Sequence, residues 1–405
     1  MNNGANIETT RRKSLLERLL LLVPIGNGTV EEAVLLWLMI SVWMHYVVSG
    51  AMMVLLLFVV LAIPKTRKMI LGERKMFFLG IIIAAFSLLS SLISWNTIGM
   101  AISFGVFMIV TLGCFSKSAM TEKSFQKLQV IWCIGSVISA VVGVYQNFFM
   151  YDNPLFRPTA AAYNANYYGA LIVMTLIICI YNVLDGKAPE EKRKWYEPHK
   201  LFFVAIFLIN AFMLLVCESR SSLLAILVCA IFYLFITKRY ILFVLAGCLA
   251  AGVVAVGWFF PDILSWTNSL AFSFTERADI WMAALKSFSQ NPYTVLIGRG
   301  PMTYYHVKET EGLMNAHHAH NLFFDTLLNV GVIGTVLYLL LFAYLIKEIF
   351  LAGKSGNKYA FVLGIIFILE VIVQGIADVT IMWHQSALLF MLTVALVGKE
   401  NRAEK

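Results

Sequence analysis

Charge is scarce in this 405-residue sequence: 13% of the residues are Asp, Glu, Lys or Arg, against 60% that are hydrophobic. A water-soluble domain carries about 25% charged residues, so a soluble globule is excluded. The N-terminus also does not read as a cleavable leader. Arg11, Arg12 and Lys13 make a basic start, but Glu17 and Arg18 interrupt it, and no small-x-small site follows the short run "LLLLVPIG". The six cysteines (Cys114, Cys133, Cys179, Cys217, Cys229 and Cys248) all fall inside apolar runs without CxxC spacing. They read as small packing residues, and neither a disulfide framework nor a thiolate metal site is indicated. No internal repeat is apparent. "GRG" at 298–300 has no strand before it and reads as a turn rather than a nucleotide loop.

What the sequence has is apolar runs, recurring from about residue 30 to the C-terminus. A helix of roughly 17–25 such residues crosses about 30 Å of hydrocarbon with its backbone groups satisfied internally. The pattern predicts an all-α polytopic membrane protein of about twelve transmembrane helices. Residues 1–30 form a cytoplasmic or interfacial lead-in, 31–260 hold spans one to nine, 322–398 hold spans ten to twelve, and 399–405 are a tail. The first two spans, about 31–47 and 50–64, are split at Ser49-Gly50. With both termini cytoplasmic, the inner segments hold 25 of the 31 Lys and Arg, the bias expected of cytoplasmic loops. The net charge of +8 is then mostly a topology signal rather than a nucleic-acid patch.

Residues 261–321 make one large extracytoplasmic loop, of a length that in compact proteins is usually functional or disordered. "TERADIWMAALKSFSQNP" (275–292) predicts a helix with Arg277, Trp281, Ala284 and Phe288 on one face. Asn291-Pro292 is expected to end it, and the helix to lie on the outer membrane surface. The outer side keeps six cations, four of them arginines: Arg157, Arg220, Arg277 and Arg299. Guanidinium forks match phosphate oxygens in paired hydrogen bonds, so several near one face suggest a phosphate site, while lipid headgroups or Glu218, Glu276 and Asp279 are the ordinary partners. Ser221 or Ser222 is available to cap the helix after Arg220.

"NAHHAHN" (315–321) holds three of the seven histidines. Metal binding would need three or four ligands in tetrahedral reach; His318 and His320 are two apart, with Glu309 and Glu311 nearby, in no recognised ligand spacing. A merely polar loop is a second reading. The third rests on position: Asn321 can cap the helix starting at Leu322, which puts His320 at a positive helix end that disfavours imidazolium, as a general base requires. Glu370, Gln374 and Asp378 form a polar stripe in span eleven, functional by default or pairing with arginines to hold the bundle. His45 and His384 read as satisfied structural histidines.

Together, "RADIWMAALKSFSQNPYTVLIGRG", the later "HAHNLFFDTLLNVGVIG", the "SRSS" turn and "FRPTAAAYNANYYG" resemble the O-antigen ligase and polymerase superfamily over roughly residues 155–345. The resemblance implies a glycosyltransferase on the outer face of the bacterial cytoplasmic membrane, acting in surface polysaccharide biosynthesis. Such enzymes pass a glycan from a polyprenyl diphosphate carrier to an acceptor hydroxyl, inverting the anomeric centre without a metal or other cofactor. Matched residue by residue, the family's catalytic histidine falls on His320 and its diphosphate-binding arginines on Arg220 and Arg277. Glu218 stands where a small residue often precedes the Ser-Arg pair. Arg157, Arg299, Asn321 and His318 are further substrate-binding candidates. The expected partners are the lipid-linked donor, a glycan or lipid-anchored acceptor, membrane lipids and other polysaccharide-assembly membrane proteins, with no nucleic acid. The competing readings are a flippase for lipid-linked sugars and a peptidoglycan-type polymerase, which would rely on a carboxylate.

Overall fold

In the computed structural model, residues 29–150, 157–186, 195, 197–259, 266–311 and 317–398 are described. The N-terminal lead-in and the tail fall largely outside them. Every regular element among the described residues is helical. In chain order they are α1 (Val30–Val42), α2 (Tyr46–Ala62), α3 (Pro64–Gly72), α4 (Arg74–Ile93), α5 (Thr97–Ala119), α6 (Glu122–Tyr145), α7 (Ala165–Leu184), α8 (Lys200–Val216), α9 (Arg220–Ile236) and α10 (Tyr240–Phe259). The loop contributes α11 (Trp266–Phe288), α12 (Pro292–Ile297) and α13 (Tyr304–Glu311), and α14 (Leu322–Lys354), α15 (Lys358–Gly375) and α16 (His384–Val394) follow.

Short polar side chains start these helices as their chemistry requires. Asn96, Thr121, Asn164, Asn291, Asn321 and Asn357 each accept a hydrogen bond from a first-turn backbone N–H. Among the described residues six helices are long and apolar enough to cross a membrane: α4, α5, α6 with its π-turn extension, α7, α14 and α15. The pair α2 and α3, bent by 96°, makes a seventh if counted as one broken span, and α8, α9, the start of α10 and α16 are shorter apolar helices. α7 sits at the centre, with Tyr167 to Cys179 buried without interruption, as expected of a helix apolar on every side.

Two sequence expectations are corrected. The break between the first two spans falls at residues 43–45, and Ser49 and Gly50 lie inside α2. The Gln385 amide donates to Val42 O at 2.7 Å and Met44 O at 3.0 Å, so a distant side chain satisfies the carbonyls freed by the break. Asn291-Pro292 opens a helix instead of closing one: Asn291 and Thr294 form a reciprocal capping box, and Pro292 occupies the first turn, where no N–H is needed. The apolar face of α11 packs on protein: Ile280, Ala283 and Ala284 join Tyr304, Val307 and Leu328 in a small core.

That core sets the loop on top of α14. The approach is fixed by Gly298 and Gly331, both at positive φ (70° and 63°). A Cβ on Gly298 would lie 2.5 Å from the backbone of Asn329 and Val330, and one on Gly331 would lie 2.5 Å from that of Leu296 and Ile297. Gly331 also breaks the helical dihedrals inside α14. Backbone therefore meets backbone there, which only glycine permits.

Candidate active site

The start of α14 wraps the histidine segment onto itself. Asn321 accepts from the N–H groups of Phe323 and Phe324 at 3.0 and 3.1 Å, while its amide donates to Ile376 O at 2.9 Å. Asp325, in the first turn, accepts from Ala319 N–H at 2.8 Å and from the Asn329 amide at 2.6 Å. Between them His320 takes φ 46°, a left-handed conformation uncommon for a non-glycine residue.

Opposite stands Asp378, three residues beyond the end of α15 and fully enclosed. His318 Nε2 and His320 Nδ1 each lie 3.5 Å from its Oδ1. Its Oδ2 accepts from the Asn166 amide at 2.5 Å, and its Oδ1 from Val379 N–H at 2.7 Å. The backbone N–H of His320 donates to His318 Nδ1 at 3.3 Å, so a neutral His318 carries its proton on Nε2, toward the carboxylate. Burial pushes the His318 imidazole down to about 4, and the positive charge of Arg277 acts in the same direction. Burial alone would raise the Asp378 carboxyl, but the facing histidines and the Val379 N–H hold it well below the usual carboxylate range. The pair thus rests as a carboxylate beside a neutral His318.

Asn166, at the start of α7, ties this group to the arginine loops. Its Oδ1 accepts from Arg157 Nη2 at 2.9 Å and from Ser219 Oγ at 3.2 Å. Arg157 Nε also donates to Cys217 O at 2.9 Å. Burial lowers the Arg157 pKa, and the charge of Arg220 adds to this, while Cys217, Glu218 and Asp378 oppose it. Arg157 and Arg220 therefore stand near each other on the site side of α7 and α9. Ser219, rather than Ser221 or Ser222, occupies the cap position before Arg220. Ser222 instead links Ser219 (2.8 Å) to the Gln374 amide (2.7 Å). Three helix starts, those of α7, α9 and α14, converge here, and their positive ends favour an anionic ligand.

The structure brings His318, His320, Asn321, Arg157 and Asp378 into one connected group, with Arg277 and Arg220 close enough to act on its charges. Arg299 is turned elsewhere: its guanidinium meets Gln290, and its backbone N–H meets Leu328 O and Asn329 O. Glu309 and Glu311 have no described side chains. In the stripe, Gln374 pairs with Ser222 and Asp378 with the histidines, while Glu370 is buried with Oε1 unpaired, so neither described pairing is with an arginine. His384 Nε2 sits 3.1 Å from Tyr46 O. Sequence reasoning named Asp378 only within a stripe and passed over Asn166 and Ser219; the one signal for Asp378 was its fourfold spacing from Gln374. His318, His320 and Asp378 also offer three ligand atoms within 4.8 Å of one another, a set able to take a divalent cation.

Among curated proteins, none matches the chain. A family model does: residues 205–339, which hold Arg220, Arg277, His318 and His320, match the family described as O-antigen ligase. Arg157, Asn166 and Asp378 lie outside the matched segment and contribute to the same group. Residues 205–339 of this multi-pass helical membrane protein are therefore similar to the O-antigen ligase family.

Proposed function

We propose that the protein transfers a glycan from a polyprenyl diphosphate carrier to an acceptor hydroxyl, with inversion and without a metal, on the outer face of the cytoplasmic membrane. The acceptor is a second lipid-linked glycan or a lipid-anchored one. The topology that goes with this reading has about twelve spans, cytoplasmic termini and the α11–α13 loop outside. A sugar on a diphosphate already has a good leaving group, so catalysis needs a positioned acceptor, a base and charge stabilisation. His320 is the base. With Nδ1 toward Asp378, the neutral ring presents its Nε2 lone pair to the acceptor hydroxyl, and the carboxylate stabilises the imidazolium that forms. The hydroxyl oxygen then bonds to the anomeric carbon as the C–O bond to the diphosphate breaks. Arg220 and Arg277 take the departing negative charge, with Arg157 held near Arg220 through Asn166, while the Arg299 turn braces the loop against α14.

The observation that carries this reading is the 3.5 Å approach of His320 Nδ1 to a buried Asp378 at the start of α14. Against a flippase stands the enclosure of the stripe: Glu370, Gln374 and Asp378 are 0–1% exposed. The test is transfer by detergent-solubilised protein on purified lipid-linked glycan. His320→Ala should abolish turnover, and Arg220→Ala should lose about a hundredfold in rate. Full activity in His320→Ala would remove the base. The three-ligand set favours a second reading, metal-assisted transfer, to which activity lost in a chelator and restored by zinc would point.

A further inference from the structure

Beside the histidines stands a run of aromatic rings that the transfer chemistry does not use. Trp383, at the entry to α16, stacks on Tyr167 with centroids 4.9 Å apart and planes at 11°. It also meets Tyr163 at 5.2 Å, and Tyr163 meets Tyr46 at 5.4 Å. On the loop side Tyr163 touches His317 at 6.2 Å, and His317 lies parallel to Tyr305 at 5.6 Å and 8°. The run reaches the reacting group through Tyr167, 6.1 Å from His318, whose ring is 4.4 Å from that of His320.

Tryptophan and tyrosine also gather at membrane interfaces as belts that anchor a protein in lipid. Belt residues are spread around the perimeter of a bundle. These rings instead pack on one another, across the starts of α2, α7 and α16 and the loop helix α13, and they lead toward His320. Trp383 is fixed in orientation: its indole N–H donates to Gln385 Oε1 at 3.0 Å, and Gln385 is anchored to Val42 O and Met44 O. Tyr167 behind it is 7% exposed, whereas Tyr163 in front is 42% exposed. The result is a rigid backing with an open aromatic face, and phenol and imidazole groups at its rim.

We infer that this wall is a saccharide subsite that stacks a pyranose ring of the glycan next to the reacting centre. Aromatic faces are electron-rich, and one face of a pyranose presents weakly positive C–H groups, while its hydroxyls point to the edges where the tyrosine and histidine polar atoms stand. The inference rests on the transfer reading for the site it adjoins. The bound sugar belongs to the donor glycan or to the acceptor, which share this chemistry.

The probe is the oligosaccharide released by mild acid from the lipid-linked pool of the producing cells, titrated by calorimetry into the full chain in detergent. Saturable binding is expected for wild type and for His320→Ala. Tyr163→Ala, at a half-open position that tolerates truncation, should bind about tenfold more weakly; Trp383→Phe, which keeps a smaller ring in place, should bind with an intermediate loss. In the transfer assay Tyr163→Ala should raise KM with kcat within about twofold: for the acceptor if the wall holds the acceptor sugar, for the donor if it holds the donor glycan. Absence of saturable binding by wild type, or wild-type affinity in both wall variants, would overturn the subsite. Saccharide binding by a wild type that performs no transfer would overturn the transfer reading and leave the subsite standing.

Discussion

His318 is buried and faces Asp378, and its place in the folded state has a consequence for stability against pH. Its imidazole is held at about 4 in the folded protein, from an ordinary 6.5. Between these values the unfolded chain binds a proton that the folded one refuses, so stability is full above 6.5 and falls as pH drops toward 4. Asp378 stays ionised throughout that window. The unfolding midpoint in detergent should therefore fall across it, and His318→Gln should flatten the slope; equal slopes would remove His318 as the cause. The Asn321 cap, and with it the place of His320 just before α14, was legible in the sequence because a helix cap is a local pattern, written in adjacent residues. Asp378 and Asn166 were not, because each acquires its meaning from partners on other helices, which no spacing encodes. Arg299 was a candidate as one of the outer-side arginines; in the fold its guanidinium meets Gln290 and its backbone N–H meets α14, contacts that depend on partners distant in sequence.

The helices that position the site depend on where their breaks fall. The interruption of α14 at Gly331 lets α12 lie against it, and this contact holds the loop over the His320 end. Gly331→Ala must place a side chain at positive φ and against the backbone of Leu296 and Ile297. It should cost on the order of 2 kcal/mol or more, read as a lowered unfolding midpoint in detergent, with transfer activity falling alongside. An unchanged midpoint would mean that α12 can retreat without loss. The sequence pattern showed that a helix occupies 275–288, because its apolar period is strong, but it misread Asn291-Pro292. A proline serves equally as a stop and as a first-turn residue, and only the Thr294 partner three positions on decides which.

The helical bundle follows from the lack of charge, whereas the sidedness expected from the basic residues counts two lysines that are buried in ion pairs. Lys117 lies 2.7 Å from Glu348 and 3.3 Å from Glu73, and Lys127 pairs with Glu32; both lysines are 3% exposed. The sequence count takes these buried partners for topology signals, but the bias is large enough to survive their removal. A labelling experiment tests it. With the exposed Cys248 replaced by serine, a membrane-impermeant maleimide should label Ser289→Cys on intact cells and Lys354→Cys only after lysis. The opposite pattern would invert the topology. The close approach of the Gly298 turn to the backbone around Gly331 bears also on how such chains diverge. Touching residues usually drift as a pair, one growing as the other shrinks. Here both partners are already the smallest residue, and each faces the other's neighbouring backbone, so no exchange between them can compensate. In a library of variants the two positions should each refuse substitution, and no double change should rescue a single one: constancy without covariation.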